Sequence, residues 1–389
     1  MKILYIGSYR FPNYDAGAAR VLNNAKLIRE AGHEVSFISW GGEYSDADRG
    51  QDGKYRNNGF EYIITKELDI KGNFLKKLKG KIFCGSKTKK ILFDEAEDID
   101  AIITYNSSLI IWLLFFCKKR KIRLINDLNE WYSYSELKFI DWIPHYLNMH
   151  FIEKLVHNKI VISSNLDIYY KQTHNIILPP LCDGNDPKWN LQINDERIPY
   201  FNGITFIYAG TPNRKDKIDS IVRAINELAL QGNAIRIIIL GLKKEEYFRL
   251  YYKSNNSEPL HNNIIFLGRV SQDLVPAYYK KADFMILLRE PTRKNMMGFP
   301  TKLAESIVSG VPVIINNTSD ISKYIIDGAN GFIVDGFSEK EIEETIVHKV
   351  LKTDKKDLES LKTGVKQIQN HFTYSFYKSE ISTFLRNLQ

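Results

Sequence analysis

Three stretches place cations, glycines and a carboxylate where a phosphorylated ligand could be held. The first is the turn Gly7–Gly17 and the helix start Gly17-Ala18-Ala19-Arg20 that follows it. Small residues at a helix start let a ligand approach backbone N–H groups that have no partner within the helix. Packing of the helix on a sheet would use the same residues. The second is Ala209-Gly210-Thr211-Pro212-Asn213-Arg214-Lys215-Asp216, a strand running into a glycine turn with two adjacent cations. Arg214 and Lys215 suit a diphosphate, because charge-assisted hydrogen bonds to phosphate are among the stronger ones. The third runs from Leu288 through Gly298-Phe299-Pro300-Thr301-Lys302 to Glu305. Pro300 reads as the first helical position, where its missing N–H costs nothing. The N–H groups of Thr301 and Lys302 would then face an anion. Glu305, a turn further on, could accept two hydrogen bonds from a ribose diol.

Positioning these groups requires strand ends. Short β-branched runs alternate with helical patterns along the whole chain. Lys2–Ile6, Glu34–Ser39, Ala101–Thr104, Arg123–Asn126 and Lys159–Ser163 read as strands. Ala18–Ala31, Ser108–Arg120, Tyr146–His157 and Asn165–Gln172 read as the helices between them. Such alternation implies parallel βαβ units with right-handed crossovers. A polar stretch, 183–202, interrupts the pattern, which restarts at Thr205–Ala209 and continues through Ile235–Leu240, Ile264–Leu267, Phe284–Leu287, Pro312–Ile315 and Gly331–Val334. The expectation is an α/β protein of two Rossmann-like, doubly wound parallel-sheet domains. Residues 1–182 form the first, 183–202 a linker and 203–370 the second. An amphipathic helix within 371–389 returns to the first domain. Ligands of open α/β sheets bind outside the carboxyl ends of the strands, so the expected site is a cleft using loops of both domains.

At 389 residues, with 44% hydrophobic and 26% charged side chains, the chain can bury a sizeable core. Cys84, Cys117 and Cys182 lie far apart without a CxxC pair, which argues against a disulfide framework or a structural zinc and for a reduced, cytoplasmic setting. The N-terminal apolar run breaks at Ser8-Tyr9-Arg10 and reads as a first strand rather than a signal peptide. The net charge is +8, from 54 Lys and Arg against 46 Asp and Glu. No long basic stripe marks a nucleic-acid protein. One local run, Lys71–Lys90, has no acid, and over Lys71–Phe93 lysines mix with Phe74, Leu75, Leu78, Ile82, Phe83, Ile91 and Phe93. Such a mixture can lie on anionic lipid, on the inner face of a membrane, or form a solvated helix and loop.

With these residues in view, the stretch GFPTKLAESIVSGVPVI resembles the nucleotide-sugar signature of GT-B glycosyltransferases of the family 4 type. IIFLGRVSQDLVPAYYKKADF, YAGTPNRKDKIDSIVRAI and KILYIGSYRFPNYDAGAARVLNNAKLIREAGHEVSFIS are similar to the same family, in the same order. The resemblance is greatest to the polysaccharide and lipopolysaccharide branch. It implies two Rossmann-like domains and a retaining transfer, without a metal or other cofactor, from a UDP- or GDP-sugar to a glycan or lipid-linked acceptor.

The resemblance also implies residue roles. Glu305 would bind the donor ribose, and Thr301 and Lys302 the diphosphate. Gly210, Thr211, Gly298, Phe299 and Pro300 would frame that site. Lys215 and Arg214 would take up the leaving-group charge, with the family's usual lysine falling nearer Asp216. The backbone at Arg269 and Val270 would bind the base, and Gly17 would sit over the diphosphate. Two positions depart from the family. Met297 stands where an acid is usual, and Asn129 where a histidine is usual, so that the catalytic role near the reacting sugar would fall to Asn129 or to a substitute beside it, Glu130 or Asp127. Those departures keep two other readings open, a regulatory subunit that binds nucleotide sugar without turnover and a nucleotide-sugar epimerase.

Overall fold

Runs such as Ile235–Leu240, apolar but for Arg236, form strands covered on both faces, the pattern of parallel sheets. A computed structural model describes residues 1–12, 15–68, 85–95, 98–137, 139–211, 215–252 and 260–389. Arg214, Cys84 and Lys71–Lys81 fall outside the described residues; Lys87, Lys89 and Lys90 fall within them. The chain forms two units, one of Met1–Leu181 with Tyr374–Gln389, the other of Cys182–Thr373.

The first unit is an eight-stranded sheet of order β3-β4-β2-β1-β5-β6-β7-β8. Its strands are β1 Lys2–Phe11, β2 Glu34–Gly42, β3 Tyr55–Asn57, β4 Phe60–Ile64, β5 Ala101–Tyr105, β6 Arg123–Leu128, β7 Asn158–Val161 and β8 His174–Ile177. Only the β3–β4 pairing is antiparallel. One face of the sheet packs on the helix Ala16–Glu30, with Val21, Leu22, Ala25 and Ile28 in the core. The other packs on the helices Ser86–Glu95 and Ile110–Arg120. The last helix, Lys378–Arg386, buries Ile381, Phe384 and Leu385 in this same unit. The Phe384 ring stacks on His174 with centroids 4.7 Å apart. Asn158 and Gln389 exchange two hydrogen bonds.

The second unit is a six-stranded, wholly parallel sheet of order β11-β10-β9-β12-β13-β14. The strands are β9 Ile204–Ala209, β10 Ile235–Leu240, β11 Ile264–Gly268, β12 Phe284–Leu287, β13 Val313–Asn316 and β14 Gly331–Val334. In both sheets the strand order reverses beside the first strand of the unit, between β1 and β5 and between β9 and β12. These are the switch points where open α/β sheets leave a crevice beyond their strand ends.

Three local expectations are corrected. The stretch 183–202 is part of the second unit rather than a free linker. Trp189 is buried in the short helical turn Pro187–Asn190, and Tyr278 donates to Asp195 at 2.8 Å. The helix expected at Tyr146–His157 begins at Phe139 and passes through a π-helical stretch, Asn148–Ile152, before ending at Leu155. Pro300 is the N-cap of the helix Thr301–Val308 rather than its first residue.

Candidate functional site

At the β9/β12 switch point of the second unit, the loop after β9 meets the loop after β12, and Asp216 bridges to Arg289 through the backbone. The Asp216 side chain is fully buried and accepts three hydrogen bonds of 2.8 Å each, from Arg289 Nε, Lys302 Nζ and Tyr208 Oη. Burial alone would raise this carboxyl, but the charges of Lys302 and then Arg289 more than offset it and hold it well below the ordinary carboxylate range. Burial, with the Asp216 charge, drives the Tyr208 hydroxyl far in the other direction. Arg289 is fixed at its backbone as well, its N–H donating to Asn316 Oδ1 at 2.9 Å and its carbonyl accepting from Asn316 Nδ2 at 2.7 Å. One carboxylate thus holds two cations. The sum is one surplus positive charge, and Lys302, with 13% of its side chain exposed, is the member that reaches solvent.

The glycine turn makes room for that lysine. Gly210 has φ +134°, and a Cβ there would lie 2.5 Å from Lys302 Cε, so any side chain at 210 would displace the cation. Gly241, at the end of β10 with φ +89°, lies so near that a Cβ would meet the Gly210 carbonyl at 2.5 Å. Thr211 is exposed beside it, and Lys215 is half-buried next to Asp216. The helix Thr301–Val308 starts here, its apolar residues Leu303, Ala304 and Ile307 buried against the sheet. No side chain caps it and no acid lies in its first turn, which leaves the positive end of its dipole uncompensated.

The Glu305 side chain, on the same helix, has no hydrogen bond or ion pair among the described residues, while its backbone carbonyl accepts from the Ser309 hydroxyl at 2.7 Å. Burial raises its carboxyl, with Lys188 and Lys302 pulling the other way. The fully buried Tyr279 hydroxyl also lacks a partner, and the Glu305 charge contributes to its raised pKa. Arg269 and Val270 follow β11, Arg269 exposed and Val270 half-buried. Gly298 ends the short helix Arg293–Met297, which contains Met297. Phe299 is buried against Tyr324 and Phe372, so its ring packs the core rather than facing a ligand. Within this loop Asn295 is buried, donates to the Glu290 carbonyl at 2.8 Å, and leaves its Oδ1 unpartnered.

At the β1/β5 switch point of the first unit, Gly17 lies against Tyr105: a Cβ on it would be 3.1 Å from the ring hydroxyl. The start of its helix is capped by Asp15, which accepts from the Ala18 N–H at 2.8 Å. The N–H groups expected to be free for an anion are therefore partly taken, by an anionic side chain. Tyr105 in turn accepts from Asn129 Nδ2 at 2.6 Å, while Asn129 Oδ1 is buried without a partner. Glu130 interacts with Tyr132, raising that hydroxyl together with the larger effect of burial. Asp127 is withdrawn from any ligand. It is wholly buried and accepts from Arg20 Nε and Nη2, at 2.9 and 2.7 Å, from Asn24 at 3.1 Å, and from the Tyr5 hydroxyl. It cannot stand in for the missing histidine.

Sequence reasoning missed Arg289 and the role of Asp216. Their partners lie 73 and 86 residues apart in the chain, and the available signal was that an acid occupies the position where the resemblance places a lysine. Among the described residues no group of three or more His, Cys, Asp or Glu is placed to hold a metal ion. Cys117 and Cys182 are free and buried, burial pushing the Cys117 thiol up to about 12.

Residues 195–368 match the family of glycosyl transferases group 1. No curated protein matches the sequence. Solved structures are similar over the whole chain. The sucrose-phosphate synthase of Thermosynechococcus elongatus shares 14% identity at a TM-score of 0.72, with 99% of this chain and 98% of that one covered. HepE of Anabaena, in complex with UDP-glucose, shares 14% at 0.68, with both chains covered in full. The trehalose-6-phosphate structure from E. coli, bound with UDP-2-fluoro glucose, shares 10% at 0.68, again over 100% of each chain. The architecture is the GT-B fold of two parallel-sheet α/β domains. With most of its second unit matching that family, this protein is a glycosyltransferase.

Proposed function

We propose that the chain moves a sugar from a nucleoside-diphosphate donor to a hydroxyl of a glycan or lipid-linked glycan, with retention of configuration and without a metal ion, in the synthesis of a surface polysaccharide. The observation that carries this reading is the buried carboxylate holding two cations beside an uncapped helix start. A site with surplus positive charge, a helix dipole and an unpartnered acid one turn away matches a diphosphate attached to a ribose. The structures of HepE and of the E. coli protein, which hold UDP-sugars, support UDP as the base-bearing half.

In this reading Lys302 Nζ and the Thr301 helix start donate to the diphosphate, and Glu305 accepts from the ribose hydroxyls. As the bond between the anomeric carbon and the β-phosphate oxygen breaks, negative charge grows on that phosphate. Lys302, with Lys215 and Arg214, stabilises it. Losing one such fixed donor costs about 2.7–4 kcal/mol in comparable oxyanion sites. The acceptor hydroxyl attacks from the face the phosphate leaves, and its proton passes to the departing phosphate. Asn129 serves as a hydrogen-bonding group only, since an amide cannot act as a base.

The test is a thermal-shift screen with UDP-, GDP-, ADP- and CMP-sugars, followed by product analysis with EDTA present. Stabilisation by one nucleotide class, with sugar transferred or donor hydrolysed by the purified chain, is the expected result. Release of an epimerised free sugar, or binding without turnover, would instead support the epimerase or the regulatory subunit.

A further inference from the structure

The first unit carries an apolar surface that its fold does not use. Helix Ile110–Arg120 is buried on one side through Ile110, Leu113, Phe116 and Cys117. Its outward side is also apolar over the first two turns: Ile111 is 51% exposed and Phe115 73%, with Trp112 and Leu114 half-buried beside them. Positions 111, 115 and 118 share one helical face, so this face passes from isoleucine and phenylalanine to lysine. The last turn is Lys118, Lys119 and Arg120, with no acid anywhere in the helix.

Neighbouring elements continue the pattern. Helix Ser86–Glu95 and the segment around Ile152 and Val156 pack on the same core layer as this helix. Phe93, 57% exposed, touches Trp112 and Phe116 at centroid distances of 5.7 Å. Phe151 and Leu155 are 58% and 57% exposed. Cations border the patch: Lys89 lies 5.4 Å over the Trp112 ring and Arg120 5.7 Å from the Phe116 ring, and Lys90 is exposed on the same helix as Lys89. On the facing elements the exposed acid among the described side chains is Asp94.

Scattered exposed apolar residues are ordinary, but a contiguous group on adjacent elements marks an interaction surface. Here the group is aromatic and aliphatic at its centre and cationic at its margin, the chemistry of a helix lying in a lipid interface. Lysine stems can rest on the apolar surface while their ammonium groups reach phosphate. We propose that the outer face of Ile110–Arg120, with Phe93, Phe151 and Leu155, seats the first unit on an anionic lipid bilayer. No helix of the described residues is long and apolar enough to cross a membrane, so the contact is a surface one. The sequence pointed to Lys71–Phe93, most of which lies outside the described residues; Lys89 and Phe93 of that run belong to this patch. The inference is independent of the donor chemistry proposed above.

The experiment is co-sedimentation of the full chain with mixed phosphatidylglycerol–phosphatidylcholine vesicles and with pure phosphatidylcholine, at low and high salt. Quenching of Trp112 fluorescence by brominated lipid reports insertion. Wild type should bind the anionic vesicles and lose affinity with salt. Phe115→Asp should weaken binding at least about tenfold, the equivalent of one exposed phenylalanine. Lys118→Gln with Lys119→Gln should weaken it about fivefold per lysine and flatten the salt dependence. Both variants alter exposed side chains, and an unchanged melting temperature with an intact UDP thermal shift confirms the fold and leaves the donor site tested separately. Absence of wild-type binding, or equal binding by Phe115→Asp, overturns the proposal. So does a dimer that Phe115→Asp dissociates without any effect of lipid, which would give the face to a second copy of the chain.

Discussion

Both units bury a carboxylate within or just beyond a strand near their switch point, and surround it differently. In the first, Asp127 faces a single cation, Arg20, which is itself buried and held by the Leu178 carbonyl at 2.9 Å. Charge balances, the Tyr5 hydroxyl and Asn24 complete the shell, and the group is sealed. In the second, Asp216 faces two cations, and Lys302 remains partly exposed. A balanced, sealed pair ties helix to sheet; an unbalanced, open one keeps a cation aimed outward. Because a buried ion pair is weak evidence for stability by itself, this asymmetry is the better guide to which unit binds an anion.

The strongest way to break the comparison is Asp216→Ala. It leaves two cations facing one another, so it should destabilise the second unit by about 3–5 kcal/mol and abolish transfer, read by calorimetry and by donor turnover. Asp127→Ala should cost a similar 3–5 kcal/mol, yet UDP affinity at a permissive temperature should stay at the wild-type value; a lost UDP affinity would mean that the sealed pair belongs to the donor site. Lys302→Ala leaves Asp216 paired with Arg289, so it should cost less stability than Asp216→Ala, and it should lower kcat by about 10²–10³, the range of a removed oxyanion donor. Lys215→Ala compares the loop cation that the family resemblance favours; a larger loss there than at Lys302 would move the leaving-group role back to Lys215.

A smaller effect sharpens the role of Glu305. Its folded pKa is raised above 4.5, so its contribution to stability is greatest below 4.5 and declines as pH rises through the raised value. Ribose hydroxyls donate to the ionised form, so UDP affinity should change in the opposite sense, falling as pH is lowered through that same window. Glu305→Gln should remove this pH dependence and weaken UDP by about tenfold, the worth of a hydrogen bond to a charged group. Titration calorimetry across pH measures both. Asp216, whose folded value is depressed, behaves conversely: its contribution is present above its unfolded value of 3.8 and is lost as pH falls further.

Elements buried on both faces were legible residue by residue. Ile235–Leu240, Phe284–Leu287 and Gly331–Val334 occupy the ranges their β-branched runs imply. The β3–β4 hairpin was not, because Tyr55–Asn57 is three residues long and its pairing depends on β2 alongside. The positions of Lys302, Glu305 and Gly210 around one strand end follow from the topology, since turns after parallel strands converge. The charge partners do not. Nothing in the spacing of Asp216, Arg289 and Lys302 announces that they share one buried carboxylate, because that choice is made by tertiary packing across the switch point. Phe299 shows the converse, a residue carried by its motif whose ring turns out to fill the interior.

The closing helix has a consequence for how the protein is made. Ile381, Phe384 and Leu385 complete the interior of a unit whose other strands are all synthesised before residue 182. Domains generally acquire structure in order as they leave the ribosome, but here the earlier unit waits for residues beyond 373. A nascent chain stalled before Tyr374 would hold an intact later unit and an earlier one with an open apolar wound, a natural target for chaperones and for quality-control proteases.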